Sequence, residues 1–290
     1  MTNTIELSHI NLTSGNAPWL SIPASSEAAQ TIHLSAANGF TAASYHSFLK
    51  YFNGSHSFTG MDCRGAWKNI LPPPNDFNMH DFANDLIEGI EKKHSKPIIG
   101  LGHSQGGFVT LLAAIKRPDL FSKIVLIEPA SLPNRWIGLL YPNIPKRLLY
   151  RFLPFIKGSL NRQRIWKSQE HFHARYRQHN TYKRFTDDAF NDYLAHGLTH
   201  NEQQWELVFS PAWEAHIFST VEFIWKYLAK VTVPTLFVKA EYSNLYSQKQ
   251  FIKQNKTLPS NISTVEITNT FHLLPHENPK QCHEVITKWL

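Results

Sequence analysis

The chain has 290 residues, of which 42% are hydrophobic, and a formal net charge of +7. This length allows one large domain or two small ones, and a mean hydropathy of −0.32, with no apolar run of about 18 residues, argues against a membrane-spanning helix. The two cysteines, Cys63 and Cys282, have neither a metal-site nor a disulfide spacing, and the first residues lack the features of a secretory signal, so we expect a cytoplasmic protein.

The first 130 residues alternate short apolar runs with amphipathic stretches. The apolar runs predict strands at residues 31–36, 57–62, 97–102 and 123–128. Apolar residues at helical spacing predict helices between them, at residues 41–52, 81–93 and 106–116. Strands that are apolar throughout and are separated by helices indicate a parallel sheet with helices on both faces, as in an α/β fold.

This alternation stops after about residue 130, where the sequence becomes aromatic, basic and mainly helical in pattern. It resumes with two strands and a final helix, at residues 233–239, 261–267 and 279–290. The simplest account is an α/β core formed by residues 1–130 and 231–290, with residues 131–230 inserted as a helical cap. An insertion at this point would lie over the carboxyl ends of the strands, where such sheets bind ligands.

Most of the positive charge lies in the predicted cap. Residues 131–184 contain twelve Lys and Arg residues and a single acidic residue, Glu170. Such an excess can attract nucleic acid, an anionic membrane or an acidic substrate, or it can line solvated helix faces. Because the cations are scattered singly and no nucleic-acid-binding motif accompanies them, we expect solvated faces, no nucleic-acid partner and only weak association with anionic surfaces.

Aromatic residues are also frequent in this segment. Five of the eight tryptophans fall in it: Trp136, Trp166, Trp205, Trp213 and Trp225. Any one of them can pack the cap against the core. Together they favour an apolar acyl or alcohol group as ligand over a sugar or a phosphate.

The motif that points to chemistry is Gly102-His103-Ser104-Gln105-Gly106. A serine is a weak nucleophile unless it is exposed, held and deprotonated by a base. The G-x-S-x-G pattern exposes the serine and holds it on a tight turn, provided that a strand precedes the pattern and a helix follows it. Both are predicted here, so we interpret Ser104 as a nucleophile and the Gln105 N–H, at the helix N-terminus, as an oxyanion donor.

At this point the chain resembles the α/β-hydrolase superfamily, and within it the esterase and lipase-like members with a helical cap. Four segments resemble family landmarks in the expected order: SAANGF (35–40), MDCRG (61–65), GHSQG (102–106) and NTFHLLPHENP (269–279). MDCRG is the least specific of them, because the G-H-G-x-S that often follows it is replaced here by Gly65-Ala66-Trp67-Lys68-Asn69. The resemblance implies a mostly parallel central sheet flanked by helices, with the cap inserted after the sixth strand.

Sixteen histidines compete for the role of base. His272 is singled out because it follows the last predicted strand. In the family, the loop at this place returns towards the turn that carries the serine, here called the elbow. The family pattern around His272 supports this choice. His276 is the alternative, and His103 is expected to serve only in packing. By resemblance, the second oxyanion donor is the N–H of Phe40, although Asn38 and Gly39 stay open.

The third member of the triad is where the sequence departs from the family. The usual aspartate position, in a segment similar to G-E-x-S-D, holds Asn244. An amide can orient a histidine but cannot offset the charge of an imidazolium. Glu128, at the end of the sixth strand, is the favoured substitute, because some family members place their acid there and the order nucleophile, acid, histidine is kept. Asn244 itself, Glu241, or a triad without an acid are the alternatives.

These residues predict a serine hydrolase that cleaves carboxylic esters of apolar groups through an acyl-enzyme, with a small-molecule ester as substrate. A thioesterase, a lipase or a carbon–carbon bond hydrolase could use the same groups, and the amide at Asn244 leaves open a catalytically weakened ligand-binding relative. Neither a metal-ligand cluster nor a phosphate or dinucleotide motif is present in the sequence, so no metal or cofactor is expected.

Overall fold

The computed structural model describes residues 4–26, 29–52, 54–201 and 203–290. In these ranges the strands are β1 (Glu6–Leu12), β2 (Gly15–Ile22), β3 (Thr31–Ser35), β4 (Ser57–Met61), β5 (Ile98–His103), β6 (Phe121–Ile127), β7 (Ile165–Trp166), β8 (Leu198–Asn201), β9 (Gln204–Leu207), β10 (Thr235–Ala240) and β11 (Ile262–Ile267).

The α-helices of the same ranges are α1 (His46–Leu49), α2 (Met79–Lys93), α3 (Gln105–Lys116), α4 (Arg135–Leu140), α5 (Lys146–Phe152), α6 (Pro154–Leu160), α7 (Gln169–Tyr176), α8 (Asp187–Gly197), α9 (Pro211–Ser219), α10 (Trp225–Leu228), α11 (Gln248–Asn255), α12 (Leu274–Glu277) and α13 (Pro279–Trp289). The helix predicted over residues 41–52 is a short α-helix between two 3-10 turns. None of the helices in the described ranges is long and apolar enough to cross a bilayer.

Eight strands form the main sheet, in the order β1-β2-β4-β3-β5-β6-β10-β11. The pairs β1–β2 and β2–β4 are antiparallel and the others are parallel, so the predicted mostly parallel sheet is confirmed. The sequence analysis did not identify the β1–β2 hairpin as strands. Its first strand is mostly exposed and carries polar residues, so it lacks the continuous apolar run by which buried strands are identified.

Helices cover both faces of this sheet. On one face, α2 and α3 pack through buried residues that include Leu86 and Leu112. On the other, α1 and α13 pack through Phe48 and Ile286. The central strand β5 is buried along its whole length because it is covered from both sides.

The register of the central strands brings three carboxyl ends together. His103, the last residue of β5, pairs with Ile127, the last residue of β6, and Ile127 in turn pairs with Val238 in β10. The residues that follow these ends, Ser104 and Glu128 among them, therefore lie at one edge of the sheet.

Residues 131–230 leave the sheet after β6 and return before β10. They contain the helices α4 to α10 and also a small antiparallel sheet in the order β7-β9-β8. The helical pattern was predicted but this small sheet was not. Its strands are only two to four residues long, which is too short for an alternation to be recognised in sequence.

Candidate active site

Ser104 lies on a sharp turn between β5 and α3, in the strand–turn–helix setting that the sequence predicted. Its backbone has φ 54° and ψ −117°, a conformation that costs free energy for a residue with a Cβ atom. The turn is so tight that a Cβ atom on Gly102 would lie 2.5 Å from the carbonyl oxygen of Gly106. The Ser104 N–H donates to the Ile127 carbonyl of the neighbouring strand end (3.0 Å), which fixes the turn to the sheet.

The imidazole of His272 lies against the serine. His272 follows β11 in the loop before α12, and its Nε2 is 2.8 Å from Ser104 Oγ. Its Nδ1 is 3.3 Å from Oε2 of Glu128. A carboxylate can only accept a hydrogen bond, so Nδ1 carries the proton and Nε2 accepts from the serine hydroxyl. This is the tautomer that a general base for Ser104 requires.

Glu128 is fully buried directly after β6 and is held by three donors. Oε1 accepts from the Ala240 N–H (2.8 Å), while Oε2 accepts from the Ser243 hydroxyl (2.7 Å) as well as from His272. A buried carboxylate needs such partners to offset its lost hydration. The sequence analysis did not single out Ser243, because its role depends on a contact across 115 residues.

The other two candidates for the third triad position lie elsewhere. Asn244 is exposed, whereas both ring nitrogens of His272 are engaged by Ser104 and Glu128. Glu241 accepts a hydrogen bond from the Asn269 N–H (2.7 Å) and so supports the loop that leads to His272. The structure thus brings together Ser104, His272 and Glu128, and it leaves Asn244 and Glu241 out of that contact.

Backbone strain is concentrated at these loops. Among the described residues other than glycine, four have a positive φ, and three of them are Ser104 (54°), Glu128 (41°) and Asn269 (54°). Such conformations cost roughly 1–3 kcal/mol each and persist where the surrounding structure enforces them. Each of the three loops that carry the serine, the carboxylate and the histidine therefore contains one strained residue.

The two predicted oxyanion donors differ in their surroundings. Gln105 is the first residue of α3, so its N–H lies at the positive end of the helix. The Phe40 N–H already donates to the Ala37 carbonyl (3.1 Å), closing a turn. It could bind an oxyanion only by sharing its hydrogen between two acceptors or by releasing this turn.

His103 connects residues 35–40, which we call the oxyanion loop, with the loop of His272, a role that was not predicted from sequence. The Ala37 N–H donates to the Tyr45 hydroxyl (3.0 Å), and that hydroxyl lies 2.6 Å from Nδ1 of His103. Nε2 of His103 lies 2.8 Å from the His272 carbonyl, which can only accept, so Nε2 carries the proton. Burial holds the pKa of His103 well below its usual range, so the ring stays neutral.

His276, the alternative base, is packed among aromatic rings. Its ring is fully buried, with its centroid 4.4 Å from that of Tyr45 and 4.7 Å from that of Phe185. Burial lowers its pKa to about 3. His276 therefore packs in the interior, while His272 contacts Ser104.

The inserted segment contacts the oxyanion loop at Glu214, a buried residue that forms an ion pair with Arg162. Arg162 Nη2 lies 3.0 Å from Oε1 of Glu214, which also accepts from the Ser159 hydroxyl (2.9 Å). The side chain of Asn38 donates to the Glu214 main-chain carbonyl (2.9 Å), and a Cβ atom on Gly39 would lie 3.6 Å from the Glu214 carboxyl carbon. Burial raises the pKa of Glu214, and the Arg162 charge opposes that shift.

Comparisons with known proteins identify the family. A family model described as "alpha/beta hydrolase fold" matches residues 36–279. Among curated proteins, the chain is 33% identical over 76 residues to the peroxisomal membrane protein LPX1 of Saccharomyces cerevisiae (24% of this chain, 20% of that protein). It is 28% identical over 95 residues to the strigolactone esterase D14 of Arabidopsis thaliana (31% and 34%). It is 35% identical over 86 residues to the monoglyceride lipase of Rattus norvegicus (28% of each). These matches span about a fifth to a third of the relatives' lengths.

Solved structures are similar over nearly the whole chain. E-2-(acetamidomethylene)succinate hydrolase superposes with a TM-score of 0.79 at 16% identity, covering 98% of both chains. The S. cerevisiae Lpx1 structure has a TM-score of 0.76 at 17% identity, covering 99% of this chain and 87% of that one. A thioesterase domain from the curacin biosynthetic pathway has a TM-score of 0.76 at 16% identity, covering 98% and 100%. At these identities the likeness concerns the fold.

Proposed function

The chain belongs to the alpha/beta hydrolase fold family, and we propose that it is a serine hydrolase that cleaves carboxylic esters through an acyl-enzyme. The observation that carries the proposal is the position of His272, whose ring nitrogens lie 2.8 Å from Ser104 Oγ and 3.3 Å from the Glu128 carboxylate. A serine, a histidine and a buried carboxylate in this order of contact form the apparatus of nucleophilic acyl transfer.

The proposed reaction has two halves. Ser104 Oγ attacks the ester carbonyl while its proton passes to Nε2 of His272, and Glu128 stabilises the imidazolium that forms. The Gln105 N–H, with the Phe40 N–H as second donor, holds the oxyanion. His272 then protonates the leaving alcohol. In the second half, His272 takes a proton from water and the hydroxide attacks the acyl-enzyme. His272 then returns the proton to Ser104 Oγ as the carboxylic acid leaves.

We assign the α/β core to residues 1–130 and 231–290 and the cap to residues 131–230. The contacts that Glu214 makes with Asn38 and with the position of Gly39 support this assignment, because they join the inserted segment to the oxyanion loop. A cap in this position would select the substrate and exclude water.

The aromatic surroundings of the oxyanion loop support an apolar acyl or alcohol group in the proposed substrate. The Phe40 ring packs against Tyr182, Phe185 and Tyr193, with centroid distances of 5.1–6.4 Å. Lipases and thioesterases would use the same groups, and monoglyceride lipases are among the similar proteins. The reason for proposing a weakened ligand-binding relative was the amide at Asn244, and that reason loses force because Nδ1 of His272 contacts Glu128 instead.

Covalent labelling tests the proposed function. A fluorophosphonate probe should label the wild-type chain in proportion to its loss of esterase activity on p-nitrophenyl esters of graded chain length. Ser104→Ala should abolish both labelling and hydrolysis, while Ser263→Ala, at an exposed serine of β11, should change neither. Labelling that persists in Ser104→Ala would contradict the proposal.

A further inference from the structure

Exposed apolar side chains are concentrated in one part of the inserted segment. Of the fifteen large apolar residues that are exposed in the described ranges, ten lie between residues 136 and 165. Five of them are more than half exposed: Trp136, Leu139, Leu140, Phe152 and Phe155. Scattered exposed apolar residues are ordinary on a soluble protein, but a concentration of this kind marks an interaction surface.

Eight of these ten side chains belong to the helices α4, α5 and α6. Leu149 of α5 and Ile156 of α6 pack inward, in a small buried cluster with Ala215 of α9. Phe152 lies outside that cluster, whereas the half-exposed Phe155 has its ring centroid 5.4 Å from that of Phe218. We call the exposed side chains of residues 135–165 the cap patch.

The charge of the cap patch has a single sign. Residues 135–165 contain seven Lys and Arg residues and neither Asp nor Glu. Arg162 and Arg164 pair with Glu214 and Glu206, and Lys146 donates to a main-chain carbonyl.

The other four cations of the patch, Arg135, Arg147, Arg151 and Lys157, are exposed and form no ion pair within the described residues. Two of them accompany exposed rings: Arg135 lies 5.2 Å from the Trp136 ring and Arg151 5.6 Å from the Phe152 ring.

We propose that the cap patch docks on an anionic lipid surface. Aromatic and leucine side chains bury well at the boundary between headgroups and acyl chains, and cations beside them attract anionic headgroups. Charge complementarity favours this partner over a second copy of the chain, because two copies of a patch that carries only cations would repel each other. The short helices α4 to α6 would lie in the plane of the interface and would not cross it.

This surface is directly connected to the candidate active site. Ser159, on the inner side of α6, donates to Glu214, and Glu214 contacts the oxyanion loop at Asn38. If the proposed function holds, a lipid surface that holds α6 would therefore hold the element next to the loop that binds the oxyanion.

Vesicle sedimentation tests the proposal with the full chain. We expect wild-type protein to pellet with vesicles of phosphatidylcholine containing phosphatidylglycerol, more weakly with phosphatidylcholine alone, and less as salt is raised. The double variants Trp136→Ser/Phe152→Ser and Arg147→Glu/Arg151→Glu should each weaken binding about tenfold or more. Leu71→Ser and Lys249→Glu/Lys253→Glu remove equally exposed apolar and basic residues outside the patch, and they should bind as wild type does.

Two further readouts separate this proposal from the proposed function and from misfolding. The patch variants should keep wild-type hydrolysis of a short, water-soluble ester, and Ser104→Ala should bind vesicles as tightly as wild type. Equal binding of wild type and both patch variants would overturn the proposal. So would the absence of vesicle binding together with a concentration-dependent dimer that the Trp136→Ser/Phe152→Ser variant abolishes, because the cap patch would then join two copies of the chain.

Discussion

The imidazole of His103 donates a hydrogen bond to the main-chain carbonyl of His272, with 2.8 Å between Nε2 and the oxygen. The residue next to Ser104 thereby fixes the backbone of the proposed base. Nδ1 of the same ring lies within hydrogen-bond distance of the Tyr45 hydroxyl, which also accepts a hydrogen bond from the Ala37 N–H. The oxyanion loop and the histidine loop are thus linked through one buried, neutral ring.

We predict that His103→Ala lowers kcat about 10- to 100-fold with little change in KM, because it loosens the position of His272 without touching the substrate. His103→Gln should restore part of the loss, since its amide N–H can donate to the same carbonyl. Steady-state kinetics on an ester give kcat and KM of both variants, and their melting temperatures report any change in stability. A loss shared equally by the two variants would argue for packing alone.

The Glu128→Gln variant should lower kcat by about 10³- to 10⁴-fold, because the amide cannot offset the imidazolium charge and favours the wrong tautomer of His272. Asn244→Ala, at an exposed position in the segment where the family usually carries its acid, should stay close to wild type. Matched kinetics of the two variants decide the third member of the triad. The reverse ranking would exclude Glu128 from that role.

The Ser243→Ala variant should lower kcat about tenfold, since it removes one of the three hydrogen bonds to the buried Glu128 carboxylate. Ser243→Thr keeps the hydroxyl and serves as the matched control. Kinetics of both variants at one pH provide the comparison. Equal activity of the alanine and threonine variants would mean that the hydroxyl does not support Glu128.

Buried histidines should make the protein sensitive to acid. Burial lowers the pKa of His33 and His276 to about 3, that of His216 to about 4, and that of His103 well below its usual range. An unfolded histidine titrates near 6.5. The unfolded state therefore binds more protons, and the free energy of unfolding should fall as pH drops from about 6.5 towards 4.

Buried carboxyls act in the opposite direction. Burial raises the pKa of Asp62 to about 7 and also raises the pKa of Glu214 and of Glu277. The stability that these three groups contribute falls as pH rises from about 4 towards 7, against the four histidines. Urea denaturation at pH values between about 4.5 and 7.5 measures the net effect of all these groups on the free energy of unfolding. The His33→Gln substitution, remote from the candidate site, should make the free energy of unfolding depend less steeply on pH. Stability that rises on acidification would contradict this account.

The elbow around Ser104 could be identified from sequence because its requirements are local. The turn needs its flanking glycines, a strand before it and a helix after it, and all of these lie within about twenty residues. His272 could be identified from its place after the last strand. The structure then put its Nε2 at hydrogen-bond distance from the serine.

The contacts that hold Glu128 and His272 in place could not be predicted in the same way. Contacts such as Ser243 to Glu128 and His103 to His272 join residues 115 and 169 positions apart, and no local pattern encodes them. The cap patch was missed for another reason. Apolar residues in a helix are normally expected to face the core, so the exposure of Trp136 and Phe152 is evident only from the structure.

The most direct test of the central claim is to trap the acyl-enzyme. A chromogenic ester is mixed rapidly with the protein, the reaction is quenched in acid, and the digested chain is mapped by mass spectrometry. We expect one acyl group per chain on the peptide that contains Ser104, formed in a burst and absent from Ser104→Ala. Continued turnover without an acylated peptide, or an acyl group on another residue, would contradict the assignment of Ser104 as the nucleophile.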